Sequence, residues 1–291
     1  MTTTCGGAAA FGMNHVRPGS HLQWISHLRL DFLSALLMAV MLMPMTAQSA
    51  DVKTELAVPR QRIESADYRV SGHLVRVQAN GIRLSYPITI KAHWFPGVLR
   101  VYMEVGTGSK AKTSPVSSFF HIPVHILLEM RPNGQNMVQI AHPGDAAPVI
   151  LPYDKWSDGP LGAGFSFEDF LEAQYFWPGQ TTLEKAKYGA RDCDVLQSIP
   201  GATDKTHYTE VKSWLDHGIG FPVYVEKTLK GGAIKEFTYF GLRQNGGVWS
   251  ASQVEAKIHG QAGSTLLILD RGSPKANLNL KDFAPAQLTH F

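Results

Sequence analysis

Three residues of the stretch HIPVHILLEM (121–130) could do chemistry together: His121, His125 and Glu129 recur at every fourth position. On a helix, that spacing would stack two imidazoles and a carboxylate on one face, as for a divalent metal. On a strand the same letters put Ile122, Val124, Ile126, Leu128 and Met130 on one face. The strand template fits better. All five even positions are apolar, whereas the helix template scatters the apolar residues around the cylinder. The run closes at RPNG, a hairpin signal, and MVQI follows as the return strand. Pro123 marks a strand start or an edge. Strand residues four apart are roughly 13 Å apart, too far for one metal with ligand bonds of about 2 Å. No metal and no cofactor is therefore assigned.

Other reactive groups point the same way. Cys193 lies in GARDCDVLQ between Asp192 and Asp194. Neighbouring carboxylates disfavour a thiolate, so a half-buried strand position is the expected role. Asp192 and Asp194, two apart, read as a solvated strand face rather than an acid–base pair. GPLGAG (159–164) is Gly-rich but follows no strand, so it reads as a loop. No G-x-S-x-G elbow, Walker loop, H-E-x-x-H or C-x-x-C occurs. An enzyme is not expected, and a metal-dependent one using the histidines ranks last among the functional readings.

What positions these residues is a series of strands. IRLSYPITI places Ile82, Leu84, Tyr86, Ile88 and Ile90 on one face, and VLRVYMEV places Leu99, Val101, Met103 and Val105 on one face. FPVYVEKTL and VWSASQVEAKI alternate too, and STLLILD, apolar on both faces, belongs at the centre of a sheet. Asn-Gly at 80–81, 133–134 and 245–246, KGG at 230–232 and HGQAG at 259–263 supply hairpin turns. About ten strands are expected, those from 207 to 270 as a meander. Helices are few. Residues 51–65 could form one, interrupted by Pro59. A second begins at Ser166, with Asp169 completing a capping box, Phe165 and Phe170 a hydrophobic staple, and Pro178-Gly179 the stop. Its aromatic side chains are too many for one stripe and need a wide apolar partner, such as the concave face of a curved sheet. The fold class is thus mainly β with a few helices: an antiparallel curved sheet closed by a helical lid.

The 291 residues are 44% apolar and 18% charged, with a formal charge of +3 and no basic run, so no nucleic-acid footprint is present. FLSALLMAVMLM (32–43) follows Arg29 and precedes PMTAQSA. This is the layout of a secretory signal peptide, over residues 1–50 with cleavage near 49/50; the apolar run is too short to span a bilayer. Met13 offers a second start. Residues 51–291 then form a single domain with one cysteine.

LGAGFSFEDF (161–170) resembles a segment of bacterial outer-membrane lipoprotein-sorting proteins of the LolA-like group. The resemblance continues in YGARDCDVLQSIPG, VKSWLD with FPVYVEK, KEFTYFGLR with GVWSASQVE, and LKDFAPAQL, from about residue 120 to the C-terminus. VILPYDKWSDGP lacks the Arg-rich run that the family carries before its Ser-Phe/Tyr-Glu-Asp motif. The resemblance implies an antiparallel half-barrel whose helices close an apolar cavity, shielding lipid or lipoprotein acyl chains in the periplasm without a cofactor. It also implies donors and acceptors such as an inner-membrane exporter or an outer-membrane acceptor. The expected lining is Ile82, Leu84, Leu99, Val101, Val124, Ile126 and Leu128 from strands, with Phe167, Phe170 and Leu171 from the lid. The alternative is a non-carrier envelope scaffold of the same fold with a filled core.

Overall fold

The computed structural model describes residues 46–106, 123–132, 134–159, 164–270 and 272–291. The expected signal segment lies outside them up to residue 45, as do His121 and most of GPLGAG. Among the described residues fourteen antiparallel strands form one sheet. In chain order they are β1 (Asp67–Val77), β2 (Arg83–Phe95), β3 (Val98–Val105), β4 (Val124–Met130), β5 (Met137–Ala141), β6 (Val149–Ile150) and β7 (Gly179–Thr182). The remainder are β8 (Ala186–Tyr188), β9 (Arg191–Ile199), β10 (Tyr208–Asp216), β11 (Pro222–Leu229), β12 (Ile234–Asn245), β13 (Val248–Ile258) and β14 (Ser264–Leu269). Their spatial order is β6-β5-β4-β3-β2-β1-β14-β13-β12-β11-β10-β9-β7, with β8 pairing β9. The sheet is not closed. β14 sits at its middle, which explains why STLLIL is apolar on both faces, and β10 to β14 form the expected meander. The short strands β6, β7 and β8 exceed the expected number, because segments of two to four residues carry no periodicity to read.

The alternation of β2 is realised. Tyr86, Ile88, Ile90 and Ala92 are buried, while the intervening residues are partly or fully exposed. β4 departs from simple alternation, since all seven of its residues are buried. Val124, Ile126, Leu128 and Met130 enter the main core with Leu151, Trp156, Phe167 and Tyr175. On the opposite face Leu127 packs with Tyr102, Ala141, Phe283 and Leu288, so the C-terminal segment forms a second layer. His125 belongs to that layer. Its ring stacks on Phe291 at 3.9 Å and its Nδ1 lies 3.1 Å from the Leu288 carbonyl.

A helix, α1 (Thr46–Glu64), runs through Pro59 without interruption, contrary to expectation. Its burial accounts for this: Leu56, Pro59 and Ile63 form one buried face, and packing offsets the missing backbone donor. The expected cleavage point near 49/50 falls in its first turn.

The second expected helix is replaced by two 3-10 turns, Phe167–Phe170 and Ala173–Phe176, separated by Glu172 in a left-handed conformation at φ 47°. An unbroken α-helix would spread its aromatic residues around the cylinder. The break lets Phe167, Leu171, Tyr175 and Trp177 all be buried against the sheet. Gly164, just before the lid, has a φ of 78°, and a Cβ there would meet Thr265 Oγ1 at 2.9 Å. The lid thus approaches β13 and β14 closely.

Leu128→Ala would leave a void in fully packed surroundings. A loss of about 2–5 kcal/mol is expected in denaturant unfolding, with little effect on any property of the opposite sheet edge.

Candidate functional site

The lid is held over the sheet by a buried cluster of charges. Asp169, the third residue of the first 3-10 turn, accepts hydrogen bonds from the Ser166 amide and hydroxyl, both at 2.7 Å. This is the local cap foreseen from the sequence, and Phe165 stacks on Phe170 at 5.3 Å as its staple. The same carboxylate also reaches the sheet. Tyr208 of β10 donates its hydroxyl at 2.8 Å, Lys227 of β11 stands at 2.9 Å, and Lys235 of β12 at 3.4 Å. The Asp169 side chain is fully buried and both lysines nearly so. Burial opposes its ionisation, yet the two ammonium groups and the Ser166 amide hold its carboxyl well below the usual range. Glu168 beside it faces the other way, accepting from the Thr206 hydroxyl at 2.7 Å and pairing with His207 Nδ1 at 2.8 Å.

α1 secures the second half of the lid. Arg60 Nε donates to the Tyr175 carbonyl at 2.7 Å, and Arg62 pairs with Glu172 at 2.8 Å, its guanidinium lying 5.2 Å from the Phe221 ring centre. The ion pair explains how a non-glycine residue is kept at a positive φ, which costs roughly 1–3 kcal/mol.

Between α1, the lid and the sheet lies a cavity of about 620 Å³, within the roughly 300–1,000 Å³ range of small-molecule sites. Its apolar wall comes from Val70, Ile90, Leu99, Val101, Leu267 and Leu269 on the sheet and Phe165, Phe170 and Leu171 on the lid. Phe237, Tyr239, Ala251 and Val254 complete it on the meander side. Burial, then the nearby Glu172 carboxylate, push the Tyr239 phenol up, so it stays neutral. One end of the cavity is polar, with Arg243, Asn245, Ser250, Ser273, Lys275 and Asn277. In the register of the meander Arg243, Asn245 and Ser250 lie at the Asn245–Val248 hairpin, and Ser273 bridges Arg69 of β1, whereas Lys227 and Lys235 are opposed near the other end of β12.

Of the residues expected to line a cavity, Leu99, Val101, Phe170 and Leu171 border it. Val124, Ile126, Leu128 and Phe167 are fully buried in the packed core and do not border it. Leu84 is half-buried at the start of β2. Ile82 is in the turn before β2 and 52% exposed. Strand parity reads which side of a strand a residue shares but does not locate the lid along the sheet, and β4 lies where the lid packs solid. Lys227 and Lys235 were missed, although their parity was readable: Lys227 continues the inward row of Val223 and Val225, and Lys235 shares the face of Phe237.

Nothing in the arrangement activates a nucleophile. Cys193 is buried on β9, and burial, with Asp216 and Asp194 nearby, pushes its thiol up. Asp192 pairs with Lys187, and Asp194 with His217 and Lys185. Among the described residues no group of three or more His, Cys, Asp or Glu side chains is placed to hold a metal. No helix among them is long and apolar enough to cross a membrane.

An open antiparallel sheet with a pinned lid over an internal cavity defines the class as a lidded half-barrel. More narrowly, the fold is the LolA-like one. The chain superposes on a domain assigned to outer membrane lipoprotein sorting from Vibrio parahaemolyticus with a TM-score of 0.69, at 18% identity, covering 82% of this chain and 100% of that one. A DUF1329 family protein from Desulfovibrio piger gives 0.66 at 13% identity, covering 81% and 98%. A LolA superfamily protein from Nitrosomonas europaea gives 0.56 at 13% identity, covering 80% and 100%. A family model described as "Uncharacterized protein" matches residues 155–290. No curated protein matches.

Replacing Asp169 by Asn would leave two buried ammonium groups without a counter-charge. A loss of about 3–5 kcal/mol is expected in denaturant unfolding. Because the Asp169 carboxyl is depressed in the folded state, its contribution is complete above the unfolded carboxylate value of about 3.9 and fades as the pH falls below it. Unfolding curves of the Asn variant should therefore show a weaker acid dependence below about pH 4 than those of the parent.

Proposed function

We propose that this chain is a periplasmic carrier that shields acyl chains of a lipid or lipoprotein during transit. The observation that carries the reading is the cavity of about 620 Å³ between lid and sheet, with a largely apolar wall and polar groups at both ends. Each methylene moved out of water into such a wall gains about 0.8 kcal/mol, which offsets the similar cost per methylene of leaving a bilayer. Export across the inner membrane rests on the signal-like segment at 32–43. Likeness of fold to the Vibrio parahaemolyticus lipoprotein-sorting domain supports the same reading. An exporter as donor and an outer-membrane acceptor would be the natural partners of such a carrier. Its activity is binding and release, not catalysis. The scaffold alternative has less support, because a filled core would not retain a cavity of this size.

Fluorescent acyl-probe titration checks this. The parent protein is expected to take up the probe in a dry environment, with a blue-shifted, enhanced signal. Leu171→Trp, which narrows the cavity beside the lid, should weaken uptake by about tenfold or more, whereas Ile82→Ser, outside it, should leave uptake unchanged. A parent protein that takes up no probe would end the carrier reading.

A further inference from the structure

We propose that the preferred cargo carries an acyl chain ending in an anionic head, received by Lys227 at the far end of the cavity, with the surplus positive charge supplied by Lys235 behind it. The inference rests on the carrier reading above and narrows it to a ligand class.

In the β11–β12 register Lys227 and Lys235 stand directly opposite one another. Like charges so placed are destabilising. One carboxylate, Asp169, serves both, at 2.9 and 3.4 Å. Two ammonium groups against one carboxylate leave a surplus positive charge, on side chains only 4% and 6% exposed. The other nearby acid, Glu168, is occupied by Thr206 and His207 and does not border the cavity. One lysine balances the Asp169 charge; the second adds the desolvation cost of another buried charge. An incoming anion would remove that cost.

The position suits a head group. Lys227 borders the cavity, while Lys235 stands behind it. The Lys227 ammonium also lies over the rings of Phe237 at 4.9 Å and Tyr208 at 5.3 Å, a dry aromatic setting in which charge-assisted hydrogen bonds are strong. Along β12, Lys235 is separated from Asn245 at the polar end by roughly 33 Å of extended strand. The other charges bordering it are engaged or peripheral: Arg62 pairs with Glu172, Asp67 with His93, and Arg243 and Lys275 stand at the polar end.

A carboxylate and a phosphate monoester share this chemistry, and the test separates them. Hexadecanoate, hexadecyl phosphate and methyl hexadecanoate are titrated near neutral pH into the parent protein and into Lys235→Met, with binding read by native mass spectrometry. Lys235→Met keeps the shorter Lys227–Asp169 bond and every cavity-bordering residue, so it is expected to fold. The parent should bind at least one anionic ligand about tenfold or more tighter than the ester, the scale of one charge-assisted hydrogen bond. Lys235→Met should lose that preference and keep its affinity for the ester. Preference for only one anion identifies the head. Equal affinity for all three ligands in the parent, or a preference that survives in Lys235→Met, overturns the proposal while the carrier reading stands. Binding of none of the three overturns both.

Discussion

One carboxylate ties the lid to the sheet. Asp169 belongs to a turn that cannot stabilise itself: a 3-10 segment of four residues has few internal hydrogen bonds. Its side chain ends that weakness by joining Ser166 of its own turn to Tyr208, Lys227 and Lys235 on three consecutive strands. A buried ion pair adds little stability compared with apolar packing, but it is intolerant of displacement, because moving either partner strands a charge. That intolerance sets the lid's register. From the fixed point at Asp169, Phe165, Phe170 and Leu171 are aimed at the cavity, and Phe167 and Tyr175 into solid core.

The sheet meets the lid differently on its two sides. Toward β4 and β5, strands are buried on both faces, by the lid turns within and by the C-terminal segment without. Toward β1, β14 and β13 the cavity opens beside the points where Gly164 and Asp169 hold the lid to β12, β13 and β14. Arg60 and Arg62 of α1 bridge this region, binding the lid at Tyr175 and Glu172. A rigid side and an open side within one curved sheet allow an apolar ligand to be enclosed without disturbing the core that keeps the sheet folded.

Much of this was legible in the sequence, in the places where physics is local. Period-two alternation identified β2 and β3, and a doubly apolar run identified β14 as central. Ser166 and Asp169 announced a cap three residues apart. What lay beyond reach was long in range. Asp169 meets Lys227 and Lys235 at separations of 58 and 66 residues, and no local pattern records a partner so distant. The lid was expected as one helix because its start signal is genuine. The break at Glu172 depends on Arg62 from another element and on the sheet that the aromatic residues cover. For His125 the strand reading was right, and the C-terminal layer it faces only became visible once Phe283, Leu288 and Phe291 were placed. The lining residues divide by the same logic: parity says which face a residue occupies, and packing alone decides whether that face is filled.

The most direct test of the central claim is native mass spectrometry of the protein isolated gently from the cell envelope, followed by extraction and identification of any bound species. An acyl-chain cargo predicts a discrete mass adduct that is lost on mild activation and yields a lipid or an acylated peptide. Protein of bare polypeptide mass, which also takes up no acyl probe when offered one, would contradict the account.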